Sequence, residues 1–575
     1  MRPLPTRRAV LGASAAVAAA GPGLLAGCAG SSGRGPRPGP GTGTGRGHGS
    51  AHHGSAADGP EGYVDPAGPE VRAAEAARKA GGPVTEVRLT ATAGTLDLGG
   101  GRTVRSWAYG DRLPGKEVRV TAGGTLALTL ANNLPEATSL HWHGLALRND
   151  MDGVPGLTQR DIAPGGSFAY RFAVTHPGTY WFHPHSGVQQ DRGLYAPLIV
   201  EDPKEPLAYD KEWVVVLDDW IDGVDGATPD TVLGELRKGR TGGGHAHGRA
   251  PGPGTPADPG APGTPGGPGT PAGPGAPGTP GGPGGSAAPA AGPSATGGPP
   301  HLLVGADSDI LGKEAGDVAY PYYLVNGRVA DDPSVFTARP GDRIRLRIIN
   351  AGGDTAFRLA LGGHELTVTH ADGFPVEHAT TGSLLLAMGE RYDVLVTAGD
   401  GVFPLTVLAE GKGQSALAVL RTGSGTAPTA ATRPAELDGP PLTADALRPA
   451  ESAALAAREP DRTVRIRLTG SMTRYNWAFD GTPYTPGQRH PVKAGERVRL
   501  EFRNATPMWH PLHLHGHTFA LGGAAGGARK DTAILLPGGT LTADFDADNP
   551  GLWMTHCHNV YHSESGMMTV IGYQL

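Results

Sequence analysis

Cys557 stands between His556 and His558, with His562 four residues past His558 and Met567 five residues beyond that. Three His-x-His pairs lie elsewhere: His141/His143, His183/His185 and His513/His515, the last preceded by His510. Successive side chains of a β-strand point to opposite faces. His556 and His558 therefore face one way and Cys557 the other, so one strand can feed two metal sites. On the sulfur side, Cys557, His510 and His562 would form a trigonal His2Cys set, with Met567 placed as a long axial ligand. Thiolate, thioether and imidazole together suit a blue-copper electron-transfer centre.

On the opposite face, His556 and His558 join His141, His143, His183, His185, His513 and His515. Eight imidazoles are too many for one ion and suit a cluster of three coppers. The His-Cys-His triplet would then conduct electrons from the sulfur to that cluster as well as supply ligands. The segments HWHG (141–144), HPHSG (183–187), HPLHLHGHTF (510–519) and HCHNVYHSESGMM (556–568) resemble the four copper signatures of the multicopper oxidases. The resemblance implies type 1 ligands at His510, Cys557, His562 and Met567. It implies a type 2 pair at His141 and His513, and a type 3 set at His143, His183, His185, His515, His556 and His558. The implied cofactor is four coppers per chain: one type 1, one type 2 and two type 3. The implied reaction couples four one-electron oxidations of a reductant to reduction of O2 to water. His510 and His562 are expected to present exposed imidazole edges where electrons enter.

Asp152, in MDGVPGLTQ, resembles the family's acid near the type 2 water and is expected to supply protons. Many bacterial members carry a second carboxylate directly before the last type 1 histidine. Tyr561 stands there instead, leaving Asp218, Asp219 or a water as substitutes. Thr506 occupies a position that is acidic in some cuprous oxidases. The chain has eight methionines, too few near the ligands (Met508, Met554, Met568) for a Cu(I) port. A laccase-like substrate, a phenol or aromatic amine, is therefore expected. The alternatives are a cuprous oxidase or ferroxidase in copper tolerance, or a copper-binding lipoprotein without turnover. A two-domain copper nitrite reductase is disfavoured by the number of His-x-His pairs.

The formal charge of −6 gives no reason to expect nucleic-acid binding. With only Cys28 and Cys557 present, no disulfide framework is possible. Residues 1–28 read as an export signal: Arg7-Arg8, an Ala/Val/Leu run, then Leu25-Ala26-Gly27-Cys28. Twin arginines point to the route that exports folded proteins, and the LAGC ending resembles a lipoprotein cleavage box. The expected product is a monomer at the cell surface, held to the membrane only by a lipid on Cys28, or else released outside the cell. No later apolar run is long enough to span a bilayer.

Residues 29–80, rich in Gly, Pro and Ser, are expected to be a disordered tether. Its His48, His52 and His53 are taken as solvated. From about residue 84, short alternating segments with Gly/Pro turns indicate β-sandwiches. A template recurs three times: GGTLALTLAN (123–132), GDRIRLRIIN (341–350) and GERVRLEFRN (495–504). Each has one apolar face and a closing Asn, so three related sandwiches are expected. A second repeat aligns PGGSFAYRF (164–172) with PGGTLTADF (537–545), and His183-Pro184-His185 with His556-Cys557-His558. The expected fold is all-β, with three cupredoxin-like Greek-key sandwiches at 81–203, 204–430 and 431–575. The middle one carries GERYDVLV (389–396) but no His-x-His and is expected to act as a spacer. Its His364, His370 and His378 are expected to be structural, as is His517. A Gly/Pro-rich insert at 224–303, containing His245 and His247, is expected to be a flexible loop. A helix is expected near 443–458.

Overall fold

The computed structural model describes residues 61–239, 301–303, 305–523 and 526–575. The export signal with Cys28, the tether as far as residue 60 and residues 240–300 of the insert lie outside the described residues.

The recurrent template forms the strands Gly124–Asn133, Arg343–Asn350 and Arg497–Asn504. Their apolar faces (Leu126/Leu128/Leu130, Ile344/Leu346/Ile348 and Val498/Leu500/Phe502) are all buried. Each strand has the same two neighbours. One is a parallel strand that precedes it: Val84–Gly99, Lys211–Trp220 or Arg462–Thr469. The other is an antiparallel strand that follows: Ser167–Val174, Arg391–Thr397 or Thr540–Asp546. The sheets number four and four strands in the first sandwich, seven and five in the second, and six and five in the third. This is the all-β, three-sandwich architecture that the repeat implies.

The closing asparagines have one shared duty. The side-chain oxygen of Asn132 accepts from Leu134 N, that of Asn350 from Gly352 N and that of Asn504 from Thr506 N. Their amides donate to Glu136 and Ile162, Thr355 and Leu386, and Met508 and Leu535 carbonyls, respectively. Asn is suited to this because its side chain mimics a backbone turn. In the outer sandwiches this turn launches the segment that carries His141 and His513.

Two helices fall where the sequence suggested irregular chain. Helix α1 (Pro69–Ala77) lies inside the expected tether. Pro69 opens it, Val71 is buried, and Glu75 accepts from Ala173 N at 2.6 Å. Helix α2 (Pro229–Arg237) lies inside the expected insert, capped by Thr228 and anchored by Val232, Leu233 and Leu236. The helix expected near 443–458 is absent. That stretch has only 3-10 turns at Ala444–Ala446 and Glu451–Ala453. Its backbone is drawn out instead to bond strand Phe374–Thr381, through Glu377 N to Arg448 O and Ala450 N to Pro375 O. Pro449 between those bonds cannot sit inside a helix.

Candidate metal centre

Two short strands present the histidines of each outer sandwich. In the first, His141–His143 pairs with Gly178–His183 so that His141 opposes His183. In the third, His510–Leu514 pairs with Leu552–Cys557 so that His513 opposes His556. The registers match, and alternation turns the ligand-bearing faces toward one another. Trp142 points the other way, into a core with Phe172 and Phe182.

The eight imidazoles meet between these sandwiches. Donor atoms of His143, His183 and His558 lie within 4.8 Å of one another, as do those of His185, His515 and His556. His141 and His513 remain as a pair, grouped with His143. The imidazoles of His141 and His515 stack at 3.8 Å, as do those of His143 and His513. Hydrogen bonds decide which nitrogen each ring offers. The Nδ1 atoms of His141, His183, His513 and His556 are tied to the carbonyls of Asp152, Pro184, Asp531 and Cys557, and Nδ1 of His515 to the Asp152 carboxylate. These five rings turn Nε2 to the site. His143 is reversed: its Nε2 meets Asp531 Oδ1 at 3.0 Å and its Nδ1 faces His558.

The donor set fits metal. The Nε2 atoms of His141, His183 and His513 are buried without a hydrogen-bond partner, a costly state for polar atoms unless a cation uses them. Burial, reinforced by neighbouring imidazoles, holds His143, His183, His185, His515, His556 and His558 well below the ordinary histidine range. They are neutral bases at physiological pH, the form that ligates.

On the other face of the same strand, Cys557 Sγ lies 3.6 Å from Nδ1 of both His510 and His562. Those two nitrogens are 3.0 Å apart. Burial pushes the Cys557 thiol well up. A thiolate there needs a coordinated cation. Met567 is buried beside the site, and its carbonyl accepts from Cys557 N at 3.0 Å. Helix α3 (Val560–Glu564) holds His562, with Asn559 capping Tyr561 N and His562 N.

The exposed imidazole edges expected of His510 and His562 are not found: both rings are 0% exposed. Thr506 Oγ1 lies 2.8 Å from His510 Nε2, and Asp317 Oδ2 lies 2.8 Å from His562 Nε2. Trp477 packs on His562 at 4.6 Å, and Tyr475 donates to Asp317 at 3.0 Å. Asp317, Tyr475 and Trp477 come from loops with no motif of their own, which is why the sequence did not mark them.

Asp152 is fully buried, with Oδ2 2.9 Å from His515 Nδ1 and Oδ1 3.2 Å from His141 Nδ1. Asp531, which no motif signalled, is its counterpart. It reaches His143 and takes a bidentate ion pair from Arg391. Burial works to raise the Asp531 carboxyl, but the Arg391 guanidinium and the His143 and His513 hydrogen bonds hold it well below the usual carboxylate range. Tyr561 donates to Asp191 at 2.5 Å. Asp218 accepts from Tyr195, and Asp219 accepts from Gly353 N and Asp354 N, so both are committed elsewhere. His517 bonds Tyr573 at 2.7 Å, His364 bonds the 362 and 399 backbone, and His370 bonds Thr369. Among the eight imidazoles only His185 is not fully buried. It opens onto a cavity of about 480 Å3 lined also by Glu136, Asp161, Met554, Glu564 and Met568.

Comparison with known proteins agrees with this arrangement. Multicopper oxidase family models match residues 90–205, 306–425 and 457–574. The chain is 43% identical over 507 residues to the multicopper oxidase MmcO of Mycobacterium tuberculosis, covering 88% of this chain and 90% of that one. It is 29% identical to a copper resistance protein A homolog of Pseudomonas syringae, covering 84% and 90%. Among solved structures, a multi-copper oxidase from Pseudomonas thermotolerans matches with a TM-score of 0.57 and 25% identity, covering 85% and 99%. A laccase from Botrytis aclada matches with a TM-score of 0.63 and 24% identity, covering 86% and 88%.

Proposed function

The chain belongs to the multicopper oxidase family, an oxidoreductase using O2 and a reducing substrate, and we propose that it binds four coppers and oxidises phenols or aromatic amines in a laccase-like manner. The observation that carries the copper count is the sorting of ligands: two triads of imidazoles, a remaining pair, and a separate His2Cys group on the reverse of one strand. Cys557, His510, His562 and Met567 would hold the type 1 ion, His141 and His513 the type 2 ion, and His143/His183/His558 and His185/His515/His556 the type 3 pair. Copper, when bound, supplies the one-electron chemistry and the affinity for O2.

The chain's own residues orient ligands, exclude water and supply protons. Asp152 bridges an imidazole from each outer sandwich and keeps one oxygen without a hydrogen bond, whereas Asp531, equally close to the cluster, is held by Arg391, so Asp152 is the carboxylate left to pass protons. Asp317, Thr506 and Trp477 cover the type 1 imidazoles, so a substrate gives up its electron without touching a ligand. That suits organic reductants, which need no coordination. A Cu(I) or Fe(II) substrate would need exposed donors there, and Asp317, whose Oδ2 takes both the His562 and the Tyr475 contact, is 0% exposed. The twin-arginine segment and the LAGC box support export and lipidation at Cys28.

Steady-state O2 uptake with a phenol, Cu(I) and Fe(II), alongside copper analysis, tests the reading. Fastest turnover with the phenol at about four coppers per chain is expected. Preference for either metal ion would replace the laccase-like assignment. Copper binding without O2 uptake on any of the three would reduce the protein to a copper carrier.

A further inference from the structure

The two carboxylates at the cluster are arranged alike. Asp152, from the first sandwich, accepts its own sandwich's His141 on its carbonyl and reaches across to His515 with its carboxylate. Asp531, from the third sandwich, accepts its own His513 on its carbonyl and reaches across to His143. The difference between them comes from the middle sandwich. Arg391 Nη1 and Nη2 lie 2.7 and 2.6 Å from the two oxygens of Asp531. Asp152 receives no such clamp, and its Oδ1 has no hydrogen-bond partner.

Arg391 is itself held rigidly. It is 0% exposed, its Nη1 donates to the Gly389 carbonyl at 3.0 Å and its Nε to the Thr179 carbonyl at 3.2 Å. A planar fork matched to a carboxylate fixes both distance and direction. Two glycines make room for the assembly. A Cβ on Gly144, the last residue of HWHG, would collide with Arg391 and Asp531. A Cβ on Gly389 would lie 2.9 Å from His143 and 3.0 Å from His558. The middle sandwich thus touches the cluster's imidazoles directly.

We propose that Arg391 is a positioning residue for the cluster, acting through Asp531 to fix which nitrogen His143 offers. With Asp531 oriented by the guanidinium, the His143 proton sits on Nε2 and Nδ1 is left facing His183 and His558. Among the rings whose nitrogens are fixed by hydrogen bonds, His143 is the one that presents Nδ1, and the clamp lies against that ring. An outer partner of this kind sets both the orientation and the tautomer of a ligating imidazole. The inference rests on the copper reading above for its cluster, but not on the substrate.

The test compares Arg391→Lys with the double variant Arg391→Met/Asp531→Asn, which avoids leaving a buried charge unpaired. Each copper-loaded protein is dialysed against a chelator. Copper is counted, the blue absorption of the Cys557 site is followed, and the paramagnetic resonance of the type 2 ion is recorded. The double variant is expected to keep its blue absorption while cluster copper is held about 10–100-fold less tightly with an altered resonance. Arg391→Lys should fall between it and the parent. In metal-free protein labelled with 15N-histidine, the His143 ring should be a single Nε2–H tautomer in the parent and a mixture in the double variant. Unchanged cluster retention and resonance in the folded double variant would overturn the proposal, as would parallel loss of both kinds of copper. A parent with fewer than four coppers would instead count against the copper reading.

Discussion

The first and third sandwiches share one frame and part company at the four positions that build the sulfur site. The shared register equates His183 with His556 and Pro184 with Cys557. Carried along the chain, it equates Thr138 with His510, Gln189 with His562 and Leu194 with Met567. The residues that replace the sulfur site are themselves coherent. Thr138 Oγ1 donates to Gln189 Oε1 at 2.7 Å, much as the His510 and His562 nitrogens approach one another, and Leu194 is buried like Met567. Pro184 O accepts His183 Nδ1 at 2.9 Å, as Cys557 O accepts His556 Nδ1 at 2.9 Å. The frame alone therefore suffices to aim two histidines at a shared cluster. An electron-accepting sulfur site needs four further side chains, and only one sandwich has them.

The comparison can be broken or sharpened in descending order of effect. Cys557→Ser makes the third sandwich resemble the first. Blue absorption and O2 uptake should vanish, and survival of either would refute the assignment of the sulfur. Asp152→Asn tests the unclamped acid. Turnover should fall about 100-fold or more with a changed pH profile, and a rate–pH curve matching the parent would remove Asp152 from proton delivery. His176→Asn installs the residue found at the matching position, Asn549. His176 stacks on Phe374 with a buried, unpartnered Nε2, and burial pulls its ordinary value of 6.5 down to about 4. The folded imidazole is thus neutral where the unfolded one is charged. Its cost to stability is absent above pH 6.5, grows as pH falls, and levels off below about pH 4 at no more than about 3 kcal/mol. The variant should lose that share of the slope in chemical denaturation between pH 6.5 and 4, and an unaltered slope would acquit His176. Pro184→Ala is the mildest. It should cost up to about 1 kcal/mol of stability and leave the blue absorption unmoved. A spectral change there would mean that the two sandwiches are less independent than their frames suggest.

Much of this was legible before any coordinates. Alternation along a strand was enough to send Cys557 and its flanking histidines to opposite faces, and the closing asparagines marked three copies of one strand. The parts that escaped are those made by tertiary contact. Arg391 lies within GERYDVLV, yet nothing in that string says that its guanidinium ends on Asp531, 140 residues away. The cover over His562 failed to show for the same reason, since Asp317 sits 245 residues from it. The expected helix near 443–458 failed because a neighbouring strand competes for its backbone, and local propensity cannot register that competitor.

The asparagine turns also act as a ruler. His141 is the ninth residue after Asn132, and His513 is the ninth after Asn504. The side chain clamps one end of that span and strand pairing clamps the other, with only a short loop between them. Adding a single residue there would either break the asparagine turn or slip the pairing of the following strand by one, which would turn the ligands into the core. Length variation in these outer sandwiches should therefore be tolerated after the histidines and forbidden just before them.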